Sequence, residues 1–421
     1  MKTIAIIGFG KIGQAIAANA LQHGFNVLAI DTNAGIAREF EQSAFRTGEP
    51  GVQDLLVDAF NTKRLVLKPA LDQRPDAVII SIPLTVGDNN KTVDAPFLRC
   101  LEQLAPYCKD DLLIIVETSV PVGYCRQTLL PVLESAGKKH GIDFLLAHSP
   151  ERIKSGTMLS QLDHVPKVVG GITPQATAAC TGLYRSLLKK ELIHPVQSIE
   201  AAELLKLAGM IYRDVNIALS NQLAVYAQQV GIDFASLIPL INTDNEARLL
   251  LPGIGVGGHC TPVYPHFLME NFRSSGLEFS LAASARQINT GMPEYAISLI
   301  RDKVKTKRAL VLGLSFRPGV REDANSVGAA LYRALGENGF EVCLHDEEFD
   351  EAAVQEKGFV FADPMTAKVE AVFLVTMHPG YRQLDFNVMA GNGVRFIVDG
   401  RNLLDRKKVM DAGISYTGIG H

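Results

Sequence analysis

The chain has 421 residues, long enough for two or three domains with sizeable cores. Lys plus Arg is 41 against 45 for Asp plus Glu, a net charge of −4. No basic excess exists to meet a phosphate backbone, so a general nucleic-acid binder is excluded. Six cysteines are scattered without a CxxC pair or a Cys/His cluster. Neither a disulfide framework nor a metal site is expected, and a reducing cytoplasm fits best. Lys11 and the early glycines interrupt the apolar start too soon for a signal peptide, and no run reaches the length of a membrane span.

Residues 3–7 read as a buried strand, followed by Gly8-Phe9-Gly10-Lys11-Ile12-Gly13 and a helical stretch 14–23. Gly24 stops that helix, and a second strand, 25–30, ends at Asp31, eighteen residues beyond Gly13. Glycines between strand and helix let the backbone approach a pyrophosphate, and an acid closing the next strand accepts from a ribose hydroxyl while repelling a 2′-phosphate. The pattern therefore implies NAD rather than NADP. Runs 77–81, 112–116, 144–147 and 167–171 continue the α/β rhythm. Ser119 follows one strand end, where a nicotinamide or reacting carbon would lie; a turn cap is an equal reading. Glu151 and Arg152 follow another, suited as acceptor or base and as anion clamp.

Residues 198–230 read as one long helix, with Ser198 as cap, Glu200 and Glu203 at its positive end and Gly231 as its stop. Lys206, Met210, Arg213 and Ile217 share one face. Lys206 there is a snorkelling surface residue or a functional cation. Another helical stretch leads to Arg248 and then to the loop Pro252 to Tyr264, which displays His259 and Cys260 after a run of glycines. A thiol on such a turn is open to a substrate. Stretches 279–287 and 293–304 look helical. From residue 308 a second α/β unit begins without a GxGxxG: strands 308–313, 340–344, 369–375 and 394–398, and a helix 325–335. Arg317, Arg321 and Arg401 sit at its turns, where guanidinium groups can grip a diphosphate.

The chain resembles the UDP-glucose/GDP-mannose dehydrogenase family over nearly its whole length. The residues that carry this are 8–13, 48–51, 118–123, 149–152, Glu203 with Lys206, 255–260, 313–318 and 399–402. Segments 150–152, 212–218, 257–262 and 319–322 look most like the branch that oxidises UDP-N-acetylhexosamines, especially UDP-N-acetylmannosamine. The resemblance implies an α/β fold: an N-terminal Rossmann-like NAD domain (1–197), a central helical dimerisation domain bearing Lys206 and Cys260 (198–300), and a C-terminal Rossmann-like nucleotide-sugar domain (301–421). It implies four-electron oxidation of a sugar C6 hydroxyl through a Cys260 thiohemiacetal and thioester. Lys206 would stabilise the oxyanion, Glu151 activate water and Ser119 position cofactor or water. Arg152, Arg213, Arg248, Arg317, Arg401 and the turn Gly257-Gly258-His259 would contact substrate. A homodimer through the central helix is expected, with no metal. Met210 and Tyr264 depart from the family's usual asparagine and aspartate; methionine donates no hydrogen bond and a phenol is a poor base at neutral pH. UDP-glucose or GDP-mannose oxidation, a two-electron dehydrogenase of the 6-phosphogluconate type and a nucleotide-sugar binder without turnover stay open at this point.

Overall fold

The computed structural model describes residues 2–87 and 92–421. It divides into two compact units, one running up to Gly209 and including His266–Ser275, the other holding Met210–Pro265 and Gly276–His421.

Among the described residues, eight strands form the sheet of the first unit. In spatial order they are Ile193–Pro195, Lys167–Gly171, Phe144–His148, Leu112–Val116, Ala77–Ile80, Thr3–Ile7, Asn26–Ile30 and Leu65–Lys68. Most neighbours are parallel; Phe144–His148 and Lys167–Gly171 run antiparallel. Strands covered on both faces need apolar residues throughout, and Ala77-Val-Ile-Ile80 and Leu112-Leu-Ile-Ile-Val116 are buried end to end. The helix Lys11–Gln22 lies close to the sheet because its buried face includes Ala15, Ala17, Ala18 and Ala20. The chain builds outward from Thr3–Ile7 on one side, then crosses to Ala77–Ile80 on the other. That switch point is where open α/β sheets bind ligands.

The second unit repeats this plan with five parallel strands among the described residues, ordered Glu341–His345, Arg308–Leu312, Ala371–Leu374, Phe396–Asp399 and Ser415–Gly418. Its switch point lies between Arg308–Leu312 and Ala371–Leu374.

The helix Ile199–Gln229 begins in the first unit and ends in the second. Ser198 Oγ accepts from Ala201 N at 3.2 Å, and Gly231 at φ +72° ends the run. The helical stretches expected over 279–287 and 293–304 are instead one helix, Ser280–Ser298, with Pro293 inside it. Proline forfeits a single bond, to the carbonyl of Asn289 four residues back, and buried Met292, Ala296 and Ile297 hold the helix together across that gap. The helix Tyr264–Ser274 directly follows the cysteine loop. Several expected strand ends shift by one or two residues: 369–375 is Ala371–Leu374, and 394–398 is Phe396–Asp399.

Candidate active site

In the first unit, Gly8 takes φ +91°, and a Cβ there would stand 2.9 Å from the backbone of Ser81 and Ile82. A Cβ on Gly13 would stand 2.1 Å from the carbonyl oxygen of Gly8, so helix and strand touch only because that residue is glycine. Gly10 has open space around it. It precedes a helix with no side-chain cap and no acid in its first turn. A helix N-terminus that lacks a side-chain cap is a ready site for an anion. Asp31 Oδ2 accepts from Phe9 N at 2.8 Å and Oδ1 from Asn33 N at 2.8 Å. Each oxygen keeps acceptor capacity for a ribose hydroxyl. The cradle thus fits NAD: an uncapped helix N-terminus for the pyrophosphate and a partly exposed carboxylate for the ribose.

Ser119 is buried just past the end of Leu112–Val116. The loop that holds it is anchored by Glu203 of the long helix, which accepts from Gly123 N at 2.6 Å and Cys125 N at 3.0 Å. Burial pushes the Glu203 carboxyl up to about 7, against the pull of those donors. Its position in the first turns of a helix suggested a macrodipole role; its partners come instead from a different segment. Lys206 is buried one turn further on. It lies near enough to His148 to act on it: burial drives that imidazole down to about 3, and the charges of Lys167 and Lys206 add to the effect.

Glu151 is fixed in a cluster that its sequence neighbourhood does not reveal. Lys167 Nζ donates to Glu151 Oε2 at 2.7 Å and to Glu117 Oε2 at 2.5 Å, and the Tyr184 hydroxyl donates to Glu117 Oε1. Glu151 Oε1 accepts from the N–H groups of Arg152 and Ile153 at 2.6 and 3.0 Å. Burial opposes ionisation of both carboxyls. Lys167 and the backbone donors more than offset this at Glu151, whose pKa is lowered, while Glu117 is pushed up to about 7. Two carboxylates share one ammonium, and the added backbone donors favour ionisation of Glu151 over Glu117. Arg152 donates to the carbonyl of Pro166.

In the second unit the cysteine loop is shaped by Phe316. A Cβ on Gly257 would stand 2.9 Å from Asn325 O and 3.1 Å from Phe316 Cβ, and one on Gly258 3.1 Å from the Phe316 ring. Gly258 N donates to Ala324 O at 2.9 Å, and Asn325 Nδ2 donates to Gly258 O at 3.0 Å. Cys260 is half-buried, and its carbonyl accepts from Val263 N and Tyr264 N. His259 is exposed, its Nε2 3.6 Å from Glu322 Oε2. Arg401 follows the strand Phe396–Asp399, and its Nη1 is 3.4 Å from where a Cβ on Gly253 would stand. Burial lowers the Arg401 pKa; Asp399 opposes this, and nearby Arg213 adds to it. The carboxylate of Asp399 already accepts from the N–H groups of Arg401, Leu403 and Leu404 and from the Tyr416 hydroxyl. Arg248 is exposed on a segment whose backbone is gripped by Asn216 and Asn242. Arg317 is half-buried beyond Gly313, and Arg321 stacks over Phe349 at 5.3 Å.

The structure therefore groups Ser119, Glu151, Lys206 and the nucleotide cradle in one unit, and Cys260, Arg213, Arg248, Arg317 and Arg401 in the other. Glu117, Lys167, Tyr184 and His148 were not singled out from sequence. Their one signal was a lysine opening an otherwise apolar strand. Among the described residues no group of three or more His, Cys, Asp or Glu is placed to hold a metal ion, and no helix is long and apolar enough to cross a membrane.

A glycine cradle with a ribose-reading acid places the first unit among NAD-dependent oxidoreductase folds. Models of one family match the chain in three successive pieces: its NAD binding domain over residues 2–188, its central domain over 200–291 and its UDP binding domain over 310–406. The chain belongs to the UDP-glucose/GDP-mannose dehydrogenase family, and so to the NAD-dependent nucleotide-sugar dehydrogenases. It is 27% identical to the UDP-N-acetyl-D-mannosamine dehydrogenase of Pyrococcus horikoshii, covering 99% of both chains. It is 26% identical to the NDP-N-acetyl-D-galactosaminuronic acid dehydrogenase of Ralstonia nicotianae, covering 97% of both. The solved structure of the Pyrococcus horikoshii UDP-N-acetylmannosamine enzyme superposes with a TM-score of 0.90 at 26% identity, over 99% of each chain.

Proposed function

We propose that this chain oxidises the C6 hydroxyl of a UDP-N-acetylhexosamine, UDP-N-acetylmannosamine first among them, to the uronic acid. The observation that carries the reading is Arg401. Its side chain lies half-buried against the loop that leads to Cys260, with Arg213 nearby and the Asp399 carboxylate taken up by other donors. A guanidinium so placed calls for an anion, and a diphosphate supplies one. The names of the similar enzymes support the acetylated sugar.

Two molecules of NAD, bound in turn by the Gly8–Gly13 cradle and Asp31, would supply the hydride acceptors, the first for the alcohol carbon and the second for the same carbon once it carries the cysteine sulfur. The Cys260 thiolate adds to the aldehyde carbon between the two oxidations, forming a C–S bond and an oxyanion on the same carbon. Loss of hydride from that carbon leaves a thioester, which water cleaves to the carboxylate and the free thiol. Lys206 is the proposed cation for the oxyanion. Glu151, held ionised by Lys167, is the proposed acceptor that orients water, and Ser119 positions cofactor or water. Arg152, Arg213, Arg248, Arg317, Arg401 and the Gly257–His259 turn are the proposed substrate contacts. Domain limits of 1–197, 198–300 and 301–421 belong to the same reading. So does a cytoplasmic homodimer paired through the long helix, whose exposed Tyr212, Leu219 and Tyr226 supply an apolar face.

Met210 and Tyr264 favour one second reading, a nucleotide-sugar binder without turnover. NADH counted per molecule of purified UDP-N-acetylmannosamine separates the readings. Two per sugar supports the proposal, one supports a two-electron dehydrogenase, and none despite binding supports the binder. Cys260→Ser should lose complete turnover by at least about a hundredfold, since the four-electron route needs the thiolate. Parent-rate turnover in that variant would remove Cys260 from the mechanism.

A further inference from the structure

Inside the second unit a line of hydrogen bonds joins a buried carboxylate to the start of the cysteine loop. Asp214 lies in the long helix with no exposed surface. Its Oδ1 accepts from Arg286 Nη1 at 2.8 Å and from Asn289 Nδ2 at 2.8 Å, and its carbonyl accepts from the same amide at 3.0 Å. Asn289 Oδ1 accepts from Asn221 Nδ2 at 2.9 Å. Asn221 Oδ1 accepts from Gly253 N at 2.8 Å.

Every bond in this line has the same sense, and its two ends set it. An ionised Asp offers acceptors only, so Asn289 must turn its NH2 toward Asp214 and its oxygen toward Asn221. Asn221 must then turn its NH2 to Asn289 and its oxygen to the loop, where it meets the N–H of Gly253. Asp214 at one end and the Gly253 N–H, a donor only, at the other agree on this sense, so both amides are held in one orientation with an acceptor facing the loop. Asn221 and Asn289 are buried, so water does not offer them alternative partners.

The far end of the line is a tight place. A Cβ on Gly253 would stand 3.1 Å from Gly400 O and 3.4 Å from Arg401 Nη1. Asn289 also acts through its backbone: Pro293 has no N–H to offer its carbonyl, and that oxygen lies 3.4 Å from where a Cβ on Gly255 would stand. The loop's other end is pinned at Gly258 by Ala324 and Asn325.

We propose that Asp214, Asn289 and Asn221 are positioning residues, whose directed line of bonds fixes the Gly253 end of the loop against Arg401 and with it the presentation of Cys260. The catalytic part of this statement rests on the function proposed above. The positioning part does not.

The test uses full-length Asn289→Ala, Asn221→Ala and the double variant. Asn289 makes its side-chain hydrogen bonds to Asp214 and Asn221, and Asn289→Ala removes the acceptor that holds the Asn221 amide in place. It should lower kcat with UDP-N-acetylmannosamine about fivefold, with KM for NAD within about twofold of the parent. Asn221→Ala should lower kcat about tenfold, and the double variant should match Asn221→Ala, because the Asn289 side chain reaches the loop only through the Asn221 side chain that both lack. Asn221→Leu keeps the volume and carries the same test where the alanine variant fails to fold. Iodoacetamide labelling of Cys260 without substrate, followed by mass spectrometry, gives a readout independent of turnover. Its rate should shift by several-fold in the same direction in both single variants. Parent-like kcat and labelling in Asn289→Ala, or losses that multiply in the double variant, would overturn the proposal. If the parent turns over no sugar, matched labelling shifts still uphold the positioning role while the proposed function falls; labelling rates equal to the parent's overturn it.

Discussion

In the first sheet a Cβ on Gly13 would stand 2.1 Å from the carbonyl oxygen of Gly8; in the second, a Cβ on Gly328 would stand 1.9 Å from that of Gly313. Both first glycines take positive φ at the switch point of their sheet, +91° and +112°. Both following strands end in an acid that accepts from the loop: Asp31 from Phe9 N, Asp346 from Leu314 N and Ser315 N. The acids then differ. Asp31 is partly exposed and has two backbone donors. Asp346 is buried and also takes the Ser315 hydroxyl, Glu348 N and His378 Nε2. One plan thus yields two outcomes: an acid with acceptor capacity left for a ribose, and an acid saturated by its own chain. This is why the first sheet alone keeps an acid with room for a ribose hydroxyl.

Asp346→Ala gives the sharpest test of that contrast. It strands His378 and several N–H donors, and should destabilise the protein by about 3–5 kcal/mol in urea denaturation while leaving NAD affinity unchanged. Asp31→Ala should do the reverse. NAD titration should show affinity weakened by about 1.5–3 kcal/mol, with a smaller change in stability. Should Asp346→Ala weaken NAD binding and spare stability, the two acids do not divide the work as described.

A smaller effect tests what keeps a buried acid ionised. Burial pushes the Asp346 carboxyl up, but His378 and the backbone donors hold it below its ordinary range. Glu203 has backbone donors without a cationic partner among them, and rises to about 7. A carboxyl raised on folding contributes stability at low pH that is lost as pH climbs from its unfolded value near 4.5 to about 7. Glu203→Gln has no such loss. Its unfolding free energy, read from urea denaturation and taken relative to the parent's, should therefore improve from pH 4.5 to pH 8, by an amount on the order of 1 kcal/mol. A difference that stays flat or falls over that range would mean that Glu203 is ionised throughout.

What could be read from sequence was what lies close together in it. Gly8 to Gly13 spans a single turn, so the fingerprint is contiguous and Asp31 follows at the end of the next strand. The long helix announces itself through Ser198 and Gly231. The matching contact in the second sheet escaped because fourteen residues separate Gly313 from Gly328, and no short pattern spans them. Glu151 was singled out, but its partners Lys167, Glu117 and Tyr184 arrive from other strands and a helix. The asparagines behind the cysteine loop were silent for the same reason: an amide's role depends on what faces it, and helix spacing does not state that.

Pro293 looked like a boundary and is a vacancy in a ladder. By withholding one rung from the helix Ser280–Ser298, it leaves the Asn289 oxygen without an N–H from four residues on, 3.4 Å from where a Cβ on Gly255 would stand. Rigidity is given up in the scaffold at the level where the neighbouring loop approaches. A proline at that level carries no N–H with which the helix could compete for the oxygen.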